Sequence, residues 1–307
     1  MQVVFGPILS RRFGVSLGVD LSPNKKQCNF DCVYCELTKS KTLEIMQDIV
    51  PLDTVLDSVR EALKQDSKID VLTFSANGEP TLYPYLYELI VKTKEILKPY
   101  PHIKTLILSN GSRFWDEDVR KALNEFDMVK FSCDSLNPKS FKKVDRPDGS
   151  LSLDSIKQGI KEFSLSYKGA LIAEVLFVKD INDSIEDAKS IALFLKEVNI
   201  ARVDLSTIDR PSSYAVKPID YESLVSLSSA FCGLNVCIAK RVPLDYKHEK
   251  MHLDENGILE LLARRPLSIE DAKTLLDEST FKLLDSMKEA KKIKVQRVGI
   301  LDFFKPL

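Results

Sequence analysis

The chain has 307 residues, 44% hydrophobic and 29% charged, which fits one large domain of up to about 250 residues plus a small appendage and excludes wholesale disorder. Lys and Arg total 44 against 45 Asp and Glu, so the fold as a whole has no strong pull toward nucleic acid or an anionic membrane. No apolar run reaches the roughly 18 residues of a membrane span, and MQVVFGPILSRRFG lacks the basic–apolar–small order of a secretion signal, so a cytoplasmic enzyme with no membrane partner is expected.

From about residue 15 to 240, apolar β-branched runs alternate with helix-period segments. The first strand is expected at Val15–Asp20, followed by a helix at Asp53–Gln65, where Val55, Leu56, Val59, Ala62 and Leu63 fall on one face. Strands at Ile69–Ser75, Lys104–Ser109, Met128–Ser132, Ala170–Val178 and Arg202–Thr207 alternate with helices at Tyr83–Leu97, Asp116–Glu125, Ser152–Ser166, Asn182–Val198 and Ile219–Phe231. Such alternation argues for a parallel sheet covered by helices. Six units fall short of the eight of a closed barrel, and the pattern alone does not separate a partial barrel from an open doubly wound sheet.

The last sixty residues change character. Asn256–Arg264 is apolar-periodic, Ser268 and Asp271 have capping-box spacing before a second short helix, and a third is expected over about Ser279–Ile293. KVQRVGILDFF alternates around Gly299 like a hairpin. Three helices and a small β-ribbon describe a winged-helix-like module over residues 246–307, set against a core domain over 1–245. Between Lys288 and Arg297 lie five basic residues and one acid, which serve as a solvated helix end, a nucleic-acid contact or a partner platform.

Three of the six cysteines, Cys28, Cys32 and Cys35, fall within eight positions on the loop after the first expected strand. In parallel α/β folds that end of the strands is where sites gather. Thiolates hold iron–sulfur clusters, usually by four cysteines, so three would leave one iron open for chemistry. A structural zinc site is the alternative and would need a fourth ligand such as His248, His252 or Cys133. Cys133, Cys232 and Cys237 otherwise read as ordinary small hydrophobes or turn residues.

The stretch CNFDCVYC, with Tyr34 just before the third cysteine, resembles the CxxxCxxC signature of the radical S-adenosylmethionine (SAM) superfamily. SANGEPTL at Ser75–Leu82 resembles that superfamily's glycine–glutamate motif for the SAM amino group, and SNG at Ser109–Gly111 ends the third strand. SRRFGVSLGVD, DRPDGSLSLDSIKQGIKEF at Asp145–Phe163, FVKDIND at Phe177–Asp183 and DRP at Asp209–Pro211 resemble its wyosine-synthetase-like branch of iron–sulfur oxidoreductases. The resemblance covers about residues 6–245 and, more loosely, the C-terminal helices. It implies a partial (β/α)6 barrel, a [4Fe–4S] cluster on Cys28, Cys32 and Cys35, and SAM chelating the fourth iron. It also implies reductive cleavage to a 5′-deoxyadenosyl radical that takes hydrogen from a substrate, fed by a flavodoxin- or ferredoxin-like electron donor. Cofactors would carry this chemistry, which accounts for the lack of an acid–base triad.

The resemblance also suggests roles. Glu79 would accept a charge-assisted bond from the SAM ammonium, Gly78 would permit close backbone approach, and Pro80 would fix the exit turn. Tyr34 would offer backbone groups to the adenine, or its ring would simply pack. Asn110, Ser132 and Asp134 sit at strand ends where ribose and carboxylate contacts are usual, though Asn110 and Asp134 equally suit loop caps. Glu174 lies within a strand expected to be buried, so it either points into the barrel or pairs with a Lys or Arg. Wyosine-forming relatives act on transfer RNA with a second cluster, and archaeal versions carry extra cysteines ahead of the motif. This chain has none before Cys28, so cofactor chemistry is carried over and substrate is not. RNA modification with the C-terminal module as docking surface, and a non-catalytic iron–sulfur sensor driving a winged helix, stand as alternatives; a sensor would have no use for SANGEPTL.

Overall fold

The computed structural model describes residues 2–10, 12–65, 68–238, 250–264, 266–298 and 301–307. Eight strands form one sheet in strictly sequential order: β1 (Val4–Ser10), β2 (Gly14–Asp20), β3 (Val71–Ser75), β4 (Lys104–Ser109), β5 (Met128–Ser132), β6 (Ala170–Phe177), β7 (Arg202–Thr207) and β8 (Val236–Ile238). β1 pairs antiparallel with β2, and every later pair is parallel. Sequential order is what distinguishes a barrel arc from a doubly wound sheet, whose strand order reverses. With right-handed crossovers, a sheet that never reverses puts its helices on one face. Among the described residues β8 does not pair with β1, so the arc is open.

The covering helices are α1 (Leu52–Gln65), α2 (Leu86–Leu97), α3 (Glu117–Leu123), α4 (Pro138–Val144), α5 (Leu153–Ser166), α6 (Ile185–Lys196) and α7 (Tyr221–Ser228). Side-chain caps fix most starts: Asp116 accepts from the Asp118 and Val119 amides, and Ser184 from the Asp187 amide. These caps shift the expected boundaries. The helix expected from Asn182 starts at Ile185, because Asn182 is wholly buried and its amide donates to the Asp134 and Leu176 carbonyls. The helix expected from Tyr83 starts at Leu86, after a 3-10 turn over Pro80–Leu82. β1, β8 and α4 are additions to the expected elements.

The C-terminal residues run α8 (Glu255–Arg264), β9 (Leu267–Ser268), α9 (Ile269–Leu275), α10 (Glu278–Glu289), β10 (Ile293–Val298) and β11 (Leu301–Pro306). Ser268 caps α9 through the Asp271 amide. β10 and β11 pair antiparallel, and β9 adds a third strand. The helix expected to reach Ile293 ends at Glu289, where Lys291 turns the chain at φ +55° and Ile293 enters β10. Ile258, Leu262, Leu284, Met287 and Phe304 form a hydrophobic cluster of their own. The hairpin's Gly299, His248 and the expected boundary at residues 245–246 lie outside the described residues. Among the described residues no helix is long and apolar enough to cross a membrane.

Candidate functional site

The cysteine loop leaves β2 at Asp20, whose carboxylate accepts from the Ser22 and Asn77 amides at 2.9 Å each. Gln27, buried throughout, anchors it. Its side-chain oxygen accepts from the Gln47 and Asp48 amides, and its side-chain nitrogen donates to Ser22 Oγ and the Asp48 carbonyl. Its backbone is stitched to the loop after β3: Gln27 N donates to Asn77 O at 2.8 Å, and Glu79 N to Gln27 O at 2.9 Å. Gly78 sits between them at φ +142°, where a Cβ would lie 1.7 Å from Gln27 O. Only glycine fits this contact. Farther along, Val33 N donates to Val144 O, and Ser213 N to Cys35 O. Asp31 holds Lys26 Nζ at 2.8 Å and accepts from the Tyr214 hydroxyl.

Cys28, Cys32 and Cys35 line one cavity of about 190 Å³ together with Lys26, Phe30, Tyr34, Gly78, Glu79, Asn110, Ser132, Lys130 and Glu174. All six cysteines are free thiols. Burial and the nearby Glu79 push the Cys28 thiol up to about 12. Cys32 is raised well above its ordinary value by burial, Asp145 and the two other thiols. Cys35 is raised by burial, with Lys26 pulling the other way. Burial pulls Lys26 down, but Cys35 and Asp31 outweigh it and its pKa rises. Asn110 Nδ2 approaches Cys28 Sγ at 3.8 Å, and Phe30 N at 3.4 Å.

Glu79 is 1% exposed and accepts from uncharged donors. Oε1 accepts from Thr81 N, Thr81 Oγ1 and Ser109 Oγ at 3.0, 2.6 and 2.8 Å, and Oε2 from Asn110 N at 2.6 Å. Burial raises its pKa against these bonds. Pro80 is buried at the start of the 3-10 turn that Glu79 caps and does not reach the cavity.

The Tyr34 hydroxyl donates to Asp134 Oδ2, while Asp134 Oδ1 accepts from Leu176 N at 2.7 Å. Asp134 therefore stands beside the thiol cavity rather than on its wall. Burial lifts its pKa to about 6, with Asp145 as a hydrogen-bonded neighbour that burial and Asp134 also raise. Asp145 in turn is 3.7 Å from Cys32 Sγ.

Ser132, Glu174 and Asp204 share one rung across β5, β6 and β7. Glu174 points into the barrel and is also ion-paired, with Lys130 Nζ at 2.7 Å and Arg12 Nη1 at 3.4 Å. A larger cavity of about 720 Å³ adjoins the thiol cavity and shares Tyr34, Cys35, Leu37, Leu108, Lys130 and Glu174 with it. Lys26, Lys130, Arg12 and Asp145 were not singled out from sequence. Lys130 sits in the apolar strand MVKFS just as Glu174 sits in ALIAEVLF, so the same argument about a charge in a buried strand finds both.

Of the candidate fourth ligands for zinc, His248 lies outside the described residues, and neither of the other two joins the three cysteines. Cys133 is buried against a different small cavity, and His252 is exposed and engaged by Asp277 at 2.7 Å. Among the described residues no three His, Cys, Asp or Glu side chains are gathered to hold a single metal ion. Cys232 is exposed at a turn, and Cys237 lies on β8.

Residues 26–202 match the radical SAM superfamily. A UPF0026 protein of Helicobacter pylori is 50% identical over 98% of this chain and 97% of its own length. Among solved structures, SuiB of Streptococcus suis bound to its precursor peptide SuiA aligns with TM-score 0.56 at 16% identity, over 72% of this chain and 48% of that one. TYW1 with a lysine-pyruvate adduct bound aligns with TM-score 0.51 at 14% identity, over 70% and 72%. Likeness this distant concerns fold alone, and it does not single out the wyosine branch.

Proposed function

This chain belongs to the radical SAM superfamily, and from that premise we propose that it holds a [4Fe–4S] cluster on Cys28, Cys32 and Cys35 and cleaves SAM to act on a substrate in the barrel. The observation that carries the reading is convergence: the three thiols, Gly78, Glu79 and Asn110 line one cavity that is continuous with a larger one. Three thiols whose pKa burial raises, with neighbouring acids adding to it, fit a group that replaces their protons with positive metal. When bound, the reduced cluster and SAM supply the one-electron cleavage that yields methionine and a hydrogen-abstracting 5′-deoxyadenosyl radical.

The chain's own residues bind and position. Glu79 lines the cavity and has only uncharged donors around it, and its Oε2, which accepts from the Asn110 amide, would also accept the SAM ammonium. Asn110 spans Glu79, Cys28 and Asn29, tying the amino-acid end of SAM to the cluster loop. Lys26 offsets thiolate charge, and Ser132 and Tyr34 line the wall where ribose and adenine would lie. Phe30, Leu37 and Leu108 keep water from the reacting atoms. The electron donor would be a flavodoxin- or ferredoxin-like protein of the cytoplasm.

The C-terminal elements, in the order helix, short strand, two helices and hairpin, suit a winged-helix-like module. A second reading, RNA as substrate, draws on its ribbon, where Lys294 and Lys305 face each other and burial together with Lys294 lowers the Lys305 pKa. Two such lysines favour an anionic partner.

The test is anaerobic reconstitution with iron and sulfide, then reduction with dithionite in the presence of SAM. About four irons per chain and 5′-deoxyadenosine above a protein-free control are expected. Zinc without iron would sink the reading.

A further inference from the structure

Five ionisable side chains crowd the barrel floor around Phe13. Glu174 pairs with Lys130 and Arg12, and the wholly buried Asp204 pairs with Lys130 at 3.2 Å, with Arg12 Nε at 3.4 Å and with Arg202 at 2.7 and 3.3 Å. The Arg202 guanidinium and Lys130 ammonium lie 5.2 and 6.0 Å from the Phe13 ring centroid. Three cations therefore share two carboxylates, a surplus of one positive charge. Of the three cations, Arg12 and Lys130 line the larger cavity, and the Arg12 side chain is 15% exposed. Its Nη2 is buried with no hydrogen-bond partner among the described residues, and its side chain lines the 720 Å³ cavity. Leaving a guanidinium nitrogen dry and unpaired is costly, and a planar oxyanion meets its fork best.

We propose that Arg12, backed by Lys130 and Arg202, binds an oxyanion of the substrate, a carboxylate or a phosphate, in the barrel cavity. The inference rests on the reading that this cavity holds the substrate. Arg12 does not line the thiol cavity, where Glu79 and the thiols would repel an anion.

The test is calorimetric titration of the reconstituted full-length protein with pyrophosphate and, separately, with malonate. One of the two binds at a single site per chain, and which one tells a phosphorylated substrate from a carboxylated one. Arg12→Gln weakens that binding at least about 10-fold, Arg12→Lys by less than about 3-fold, and neither changes SAM affinity. In the wild-type protein the same anion protects Arg12 from phenylglyoxal, read by mass spectrometry, so the proposal is testable even if a variant does not fold. It is overturned if neither anion binds, if Arg12→Gln binds as tightly as wild type, if Arg12 labelling is unaffected, or if SAM affinity falls together with anion affinity. Protein that forms deoxyadenosine yet ignores both anions breaks this inference alone. Protein that binds an anion at Arg12 yet cleaves no SAM breaks the functional reading alone.

Discussion

The thiol cavity and the barrel floor each bury acidic groups, but they satisfy them in opposite ways. Glu79 is held by amides and hydroxyls, which carry no charge to offset a carboxylate; Glu174 and Asp204 are held by three cations. The surroundings of Glu79 thus suit a cation, metal or ammonium, while the cluster at Arg12 carries one positive charge more than its carboxylates offset. Residual charge after internal pairing, rather than the mere presence of a buried charge, tells which ligand each half awaits.

The strongest way to break the comparison is at the thiols. Cys28→Ser, Cys32→Ser and Cys35→Ser should each abolish deoxyadenosine formation and leave iron far below about four per chain. A variant that keeps full iron would remove that cysteine from the set. Nearly as large is Gly78→Ala, because its Cβ would overlap Gln27 O. Stability should drop by more than about 3 kcal/mol and the melting temperature by at least about 5 °C.

Lys130→Met should cost about 1.5 kcal/mol in denaturant unfolding, since it removes the ammonium contacts to Glu174 and Asp204 while Arg12 and Arg202 still pair both. Glu79→Gln, in contrast, should leave iron loading intact while weakening SAM binding about 10-fold or more, read by equilibrium dialysis. Equal stability losses in these two variants would erase the distinction between the two cavities.

The smallest effect expected is in pH dependence. Asp134, raised from 3.8 to about 6, binds its proton more tightly folded than unfolded. Its contribution is present in full below about pH 4 and is lost as pH rises through about 6. Asp134→Asn should therefore flatten the stability profile between those values, measured by unfolding at each pH.

Much of this was legible in the sequence. The strands Lys104–Ser109, Met128–Ser132 and Arg202–Thr207 lie where the apolar runs put them, because a buried parallel strand must be apolar on both faces. The cysteine spacing and SANGEPTL, far apart in the chain, line a common wall. Helix starts were less legible. Asn182 carries the polar signature of a cap, yet it is used in tertiary bonds to Asp134 and Leu176 while Ser184 caps the helix. β1 escaped notice because FGPIL interrupts its alternation with glycine and proline.

By itself the sequence determined the strand–helix alternation from residue 15 onward and the cysteine loop, since these follow from periodicity and spacing, while the role of Gly78 came from the family resemblance. Tertiary structure alone decided that the sheet is a single unreversed arc, that Gly78 is pressed against Gln27, and that Arg12, Lys130 and Arg202 meet Glu174 and Asp204. Strand pairing brings residues 12, 130, 174 and 204 together, and charge balance is a property of that meeting; no stretch of chain contains it.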